Sequence, residues 1–154
     1  MQGAATYLVV IEDTPESRVA MRFAVQRAAH VDAEVALVSV VAPTEFLHFG
    51  SLQSAMAAEA RADAEHLLNQ LAAEAETLSG ARPEVQVLNG EPAKVILAHV
   101  KANPRIRALV LGTAPRGSPS PLVSFFAGEA AGSLPCILML VPGGLEPERI
   151  ATLA

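Results

Sequence analysis

A single cysteine, Cys136, is the chain's whole supply of thiol. No internal disulfide can form, which suits a reducing cytoplasm. His30, His48, His66 and His99 show no ligand spacing with that cysteine, so a protein-only zinc site is not expected. Long apolar runs are also missing. Cys136–Val141 is the longest, far short of the ~20 residues a membrane helix needs. The opening Met1-Gln-Gly-Ala-Ala-Thr6 has neither the basic nor the apolar region of a signal peptide, and the expected location is the cytoplasm. Positive charge is scarce: the formal net charge is −5. Phosphate contacts supply most non-specific affinity for nucleic acid, and no basic stripe exists to make them, so DNA and RNA are excluded as partners. There is no Gly-x-Ser-x-Gly elbow, no paired-carboxylate site, and no histidine placed to serve a serine. No catalytic or metal-binding residue is nominated, and the chain is not expected to be an enzyme.

What is present is a chain of 154 residues, 51% hydrophobic and 18% charged, enough for one well-packed domain and too apolar for disorder. Tyr7–Ile11, Glu34–Val41, Val85–Leu88, Ala108–Leu111 and Ile137–Val141 are apolar runs rich in β-branched residues and read as buried strands. Helical patterns alternate with them. Thr14-Pro15-Glu16 offers an N-cap, a first-turn proline and an acid for the helix dipole, opening a helix to about Val31. Arg18, Arg22, Gln26 and His30 make its polar stripe, while Phe23, Ala24 and Ala28 face a sheet. The longest helix runs from about Leu52 to Leu78 with one apolar face, ended by Ser79-Gly80. Glu91-Pro92 opens another, closed by Asn103-Pro104, and a short helix is expected between Val123 and Ser133.

Alternating strands and helices predict an α/β fold with one doubly wound, five-stranded parallel sheet and helices on both faces. The domain is expected to cover residues 1–142, with a flexible tail over 143–154. Ligands in such sheets bind beyond the carboxyl ends of the strands, where the strand order reverses. That crevice falls between the first and fourth strands, rimmed by Glu12-Asp13 and by Gly112 to Ser124. The candidate cofactor-binding residues there are Glu12, Val41, Gly112, Thr113, Arg116, Gly117 and Ser124.

Four segments carry a family resemblance. Leu8 to Ser17 is similar to the strand leading into Asp-Gly-Ser-x-x-Ser in universal stress proteins. Gly90-Glu-Pro-Ala93 resembles that family's Gly-x-Pro before the third helix. Leu109-Val-Leu-Gly112 resembles its apolar strand ending in glycine, and Leu134-Pro-Cys-Ile137 its Pro-Cys-Pro-Val entry to the last strand. The resemblance implies strand order 3-2-1-4-5, a homodimer formed through the last strand, and a non-enzymatic role in stress survival. It also implies, for some members, ATP bound by Gly-x-x-Gly, nine residues, then Gly-Ser/Thr, with an aspartate after the first strand reaching the adenosine.

This chain departs from that pattern. Pro115 stands at the second glycine, Ser124-Phe125 at the Gly-Ser/Thr with one residue fewer between, and Glu12-Asp13 at the Asp-Gly. A phosphate cradle works by pointing backbone N–H groups at the anion, and Pro115, Pro119 and Pro121 have none. The reading is therefore a dimeric regulatory protein that binds ATP feebly and has no obligate cofactor, with an adenine nucleotide or another small ligand as a possible occupant. The alternative is an ATP-binding switch module, with magnesium, working through the altered loop. Glu12-Asp13-x-x-Glu16 reads as helix-start acids before a metal or ribose site. Ser118, Ser120 and Ser124 read as turn residues before phosphate ligands, and Cys136 as a buried small hydrophobe before a redox sensor. Phe46, His48 and Phe49 serve equally as a lid or as a cover for the sheet end.

Overall fold

The computed structural model describes residues 4–42 and 50–154, without the side chains of 50–54. The segment holding Phe46, His48 and Phe49 lies outside the described residues.

Five strands form one sheet: β1 (Thr6–Val10), β2 (Glu34–Val41), β3 (Glu84–Asn89), β4 (Ile106–Thr113) and β5 (Ile137–Pro142). Every pairing is parallel and the order is β3-β2-β1-β4-β5, as expected. Side chains alternate across a strand, so each strand feeds two cores. Val9, Leu37, Val87 and Val110 pack on one face beneath α1 (Pro15–Val31) and α2 (Gly50–Ser79). Leu8, Val10, Val38 and Leu109 pack on the other beneath α3 (Pro92–Ala102) and α4 (Pro121–Ser124). α4 runs on through a π-turn at Phe125–Glu129 and a 3-10 turn at Ala131–Ser133, so the helical segment starts two residues before Val123.

The polar stripe of α1 is tied down. Arg18 Nε lies 3.2 Å and Arg22 Nη2 2.6 Å from the Glu74 carboxylate of α2. The apolar face of α2 is buried only along part of its length: Leu71, Ala72 and Ala75 are enclosed, whereas Met56 and Leu78 are exposed. A helix of 30 residues is ~45 Å long, and the strands beneath it span only ~20–27 Å. Its ends must overhang the sheet.

Past Pro142, where a flexible tail is expected, the chain instead turns at Gly143-Gly144 and forms α5 (Pro147–Leu153) against α1. Ile150 is 1% exposed, and the Ala154 carbonyl accepts bonds from Arg27 Nη1 (3.2 Å) and His30 Nδ1 (2.8 Å). Seven residues are too few to form a helix alone. The contacts to α1 supply what local propensity lacks, and those contacts leave no local signature in the sequence. Ile150→Ala should lower stability by about 2–5 kcal/mol in urea unfolding, whereas Leu153→Ala, at a side chain half exposed to solvent, should change it by less than ~0.5 kcal/mol. Equal, negligible effects would return this segment to a loose tail.

Candidate functional site

β1 leads leftward in the sheet to β2 and β4 rightward to β5, so the strand order reverses between β1 and β4. The carboxyl ends of those two strands form the crevice expected of a doubly wound sheet. Its floor is held by two buried hydroxyls. Ser17 Oγ accepts the Glu12 amide at 2.9 Å, and Ser39 Oγ donates to the Ile11 carbonyl at 2.8 Å. The peptide joining Ile11 to Glu12 is thus gripped on both its polar groups. Thr14 caps α1 as its sequence position predicts: Ser17 N donates to Thr14 Oγ1 at 3.3 Å, and that hydroxyl donates on to Ser17 Oγ at 3.2 Å. The sharp turn from strand into helix therefore fixes where Glu12 and Asp13 sit.

A cavity of about 450 Å³ opens beside this turn, a volume suited to a small ligand. Its walls are mainly apolar, from Val10, Val41, Leu67 and Leu122, with Glu12, Asp13 and Asp63 at the polar edge. Among the described lining residues none is basic. A smaller recess on the far side of Glu12-Asp13 includes Arg18 and Arg22, but both engage Glu74. A larger cavity, about 660 Å³, lies at the amino-terminal ends of the strands, near Thr6, Glu34 and His99. It is at the wrong end of a parallel sheet for the usual ligand site.

The nominated residues separate into three groups. Glu12 and Val41 line the 450 Å³ cavity. Neither Gly112 nor Thr113 lines it: Gly112 lies under the first turn of α1, and the Thr113 carbonyl accepts the Gly143 amide. A Cβ at Gly112 would overlap the Glu16 carbonyl, so this glycine is required by close helix–strand approach. Arg116, Gly117 and Ser124 are exposed and do not line the cavity. Gly117 is a turn glycine with φ of 86°.

The helix start after β4 is occupied internally. Ser120 Oγ accepts the Val123 amide at 3.3 Å, its carbonyl accepts the Ser124 amide at 2.9 Å, and Pro121 has no amide to offer. Ser124, which stands at the glycine of the Gly-Ser/Thr pair with Phe125 at the hydroxyl position, sits inside the helix with its amide already bonded. Ser39, Asp63 and Leu122 line the cavity without having been singled out by sequence. Asp63 lies on α2, fifty-one residues from Glu12, and only the packing of α2 over β1 and β2 brings it there. No metal-binding cluster of His, Cys, Asp or Glu occurs among the described residues.

Partial burial pushes the Glu12 carboxyl above its ordinary value, and the neighbouring Glu16 carboxylate pushes it the same way. Burial also pushes the Cys136 thiol up, against a weaker opposing pull from the Leu109 backbone. That thiol is therefore a poor nucleophile at neutral pH. A carboxyl raised in the fold holds its proton more tightly than in the unfolded chain. Its stabilising contribution is present below the ordinary carboxylate range and is lost as pH rises through the raised value. Glu12→Gln should therefore raise the urea midpoint at pH 7, with the gain vanishing below about pH 3.5, where both side chains are neutral. A variant that is no more stable than the parent at pH 7 would contradict this.

No curated protein matches the chain in sequence. Among solved structures it is similar to universal stress protein UspA from Lactobacillus plantarum, at 20% identity over 92% of this chain and 99% of that one, with a TM-score of 0.75. It is similar to a universal stress protein in complex with cAMP, at 14% identity over 93% and 100% of the two chains, TM-score 0.64. A family protein from Arabidopsis thaliana with AMP bound matches at 18% identity over 90% of each chain, TM-score 0.58. At these identities the likeness establishes the fold. The model of the universal stress protein family matches residues 6–142, which is most of the chain. With the strand order and crevice already described, this chain belongs to the universal stress protein family.

Proposed function

We propose that this protein is a non-enzymatic, dimeric stress-response regulator. Its crevice takes an uncharged, nucleoside-sized ligand at least as readily as a triphosphate. The observation that carries this is the charge of the cavity: Glu12, Asp13 and Asp63 edge it, and no basic residue is among its described lining. A triphosphate placed there would meet like charge at short range, whereas a neutral ligand would meet apolar walls and hydrogen-bond acceptors. The helix start that would otherwise offer amides to an anion is capped by Ser120 and begins with Pro121. Two structures of similar fold carry AMP and cAMP, and the adenosine part of such ligands needs no phosphate cradle.

The dimer reading rests on β5. It forms one edge of the sheet, and Ile137 is 64% and Leu140 40% exposed along it. An exposed apolar edge is a template for pairing with a second copy.

Calorimetry with adenosine and with Mg·ATP should give similar, weak binding. Loss of several charge-assisted bonds, each worth about 1.5–3 kcal/mol, lowers triphosphate affinity by orders of magnitude. A low-micromolar dissociation constant for ATP, far tighter than for adenosine, would favour the switch-module reading instead. In sedimentation the protein should be a dimer at tens of micromolar, and Ile137→Asp should make it monomeric. A monomeric parent protein at that concentration defeats the dimer reading.

A further inference from the structure

We propose that residues 143–154 act as a brace that sets the crevice rim by holding α1 at both ends, whatever ligand the crevice takes. The family match stops at Pro142, and the segment beyond it meets α1 or the end of β4 at several points. At the near end the Gly143 amide donates to the Thr113 carbonyl at 2.8 Å. A Cβ at Gly143 would come 2.6 Å from the Glu16 Cβ, and one at Gly144 would come 3.3 Å from Pro115. The root of the brace is thus pressed between the first turn of α1 and the loop after β4. At the far end Ile150 is buried and the Ala154 carbonyl takes bonds from both Arg27 and His30 in the last turns of α1. Leu145 packs into the α1 side of the core between these two points.

The helix so held carries the rim. Ser17, in the first turn of α1, is 3% exposed and holds the Glu12 amide. A helix of 17 residues spans ~25 Å and transmits displacement as a stiff rod. A change at Arg27 and His30 therefore reaches Glu12 through α1 without touching the crevice.

The test is residue-resolved amide hydrogen exchange of the full-length Arg27→Ala/His30→Ala variant. Removing two bonds of ordinary strength should speed exchange at Ile150 and Ala154 by roughly tenfold or more. If the brace sets the rim, Glu12 and Ser17 should also exchange several-fold faster, while Val9 and Leu109 in the central strands stay as in the parent. Faster exchange confined to 143–154, or no change at Ile150 and Ala154, overturns the proposal. A second variant, Gly143→Val, dislodges the near end instead. It should speed exchange at Glu12 and Ser17 as well, and protected rim amides in that variant likewise overturn the proposal.

Discussion

The first turn of α1 lies so close to the ends of β4 and β5 that no side chain fits between them. A Cβ on Gly112 would overlap the Glu16 carbonyl, and one on Gly143 would crowd the Glu16 Cβ and the Thr113 carbonyl. Close approach of this kind fixes the height of α1 above the sheet. It thereby fixes Ser17, which in turn holds the Glu12 amide. From the other side Ser39 of β2 grips the Ile11 carbonyl. The strand-to-helix turn that forms the crevice floor is therefore determined by two glycines and two buried serines. Each of the four works because it is small, or because its hydroxyl has a backbone partner at hydrogen-bond distance.

Most of this architecture is legible in the sequence because it is written at short range. The span of β2 is as read, and the other strands differ by one or two residues at their ends, the usual uncertainty where ladders fray. Thr14 and Pro15 announce α1, and Glu91 and Pro92 announce α3, because a cap and a first-turn proline act within three residues. α5 is different. Pro147 is a proper first residue, but Glu146 makes no side-chain cap and the apolar signal is limited to Ile150 and Leu153. What orders it is contact with Arg27 and His30, more than a hundred positions earlier. No window of sequence contains both partners.

The site divides along the same line. Glu12 could be placed from the end of β1, whereas Asp63 could not, because its position depends on how α2 crosses the sheet. Gly112 was legible as a glycine ending a strand, yet two physical causes produce that pattern. A backbone bent to cradle an anion needs glycine for its conformation. A strand end crossed closely by a helix needs it for space. Only the position of Glu16 over Gly112 separates the two. The same holds for Ser120: a serine in a proline-rich loop can bind phosphate or cap a helix, and its bond to the Val123 amide decides for the cap.

The acids at the crevice show which electrostatic influence prevails there. Glu12 and Glu16 flank the amino terminus of α1, where the helix dipole stabilises negative charge. That effect alone would hold a carboxyl below its ordinary value. Glu12 moves upward instead, with burial the larger cause and the neighbouring Glu16 carboxylate the smaller. A group already short of solvent is made worse by an anion that brings more negative charge. It is relieved by a hydroxyl or amine that donates a hydrogen bond to it. The sign of the Glu12 displacement thus agrees with the acidic and apolar make-up of the cavity wall.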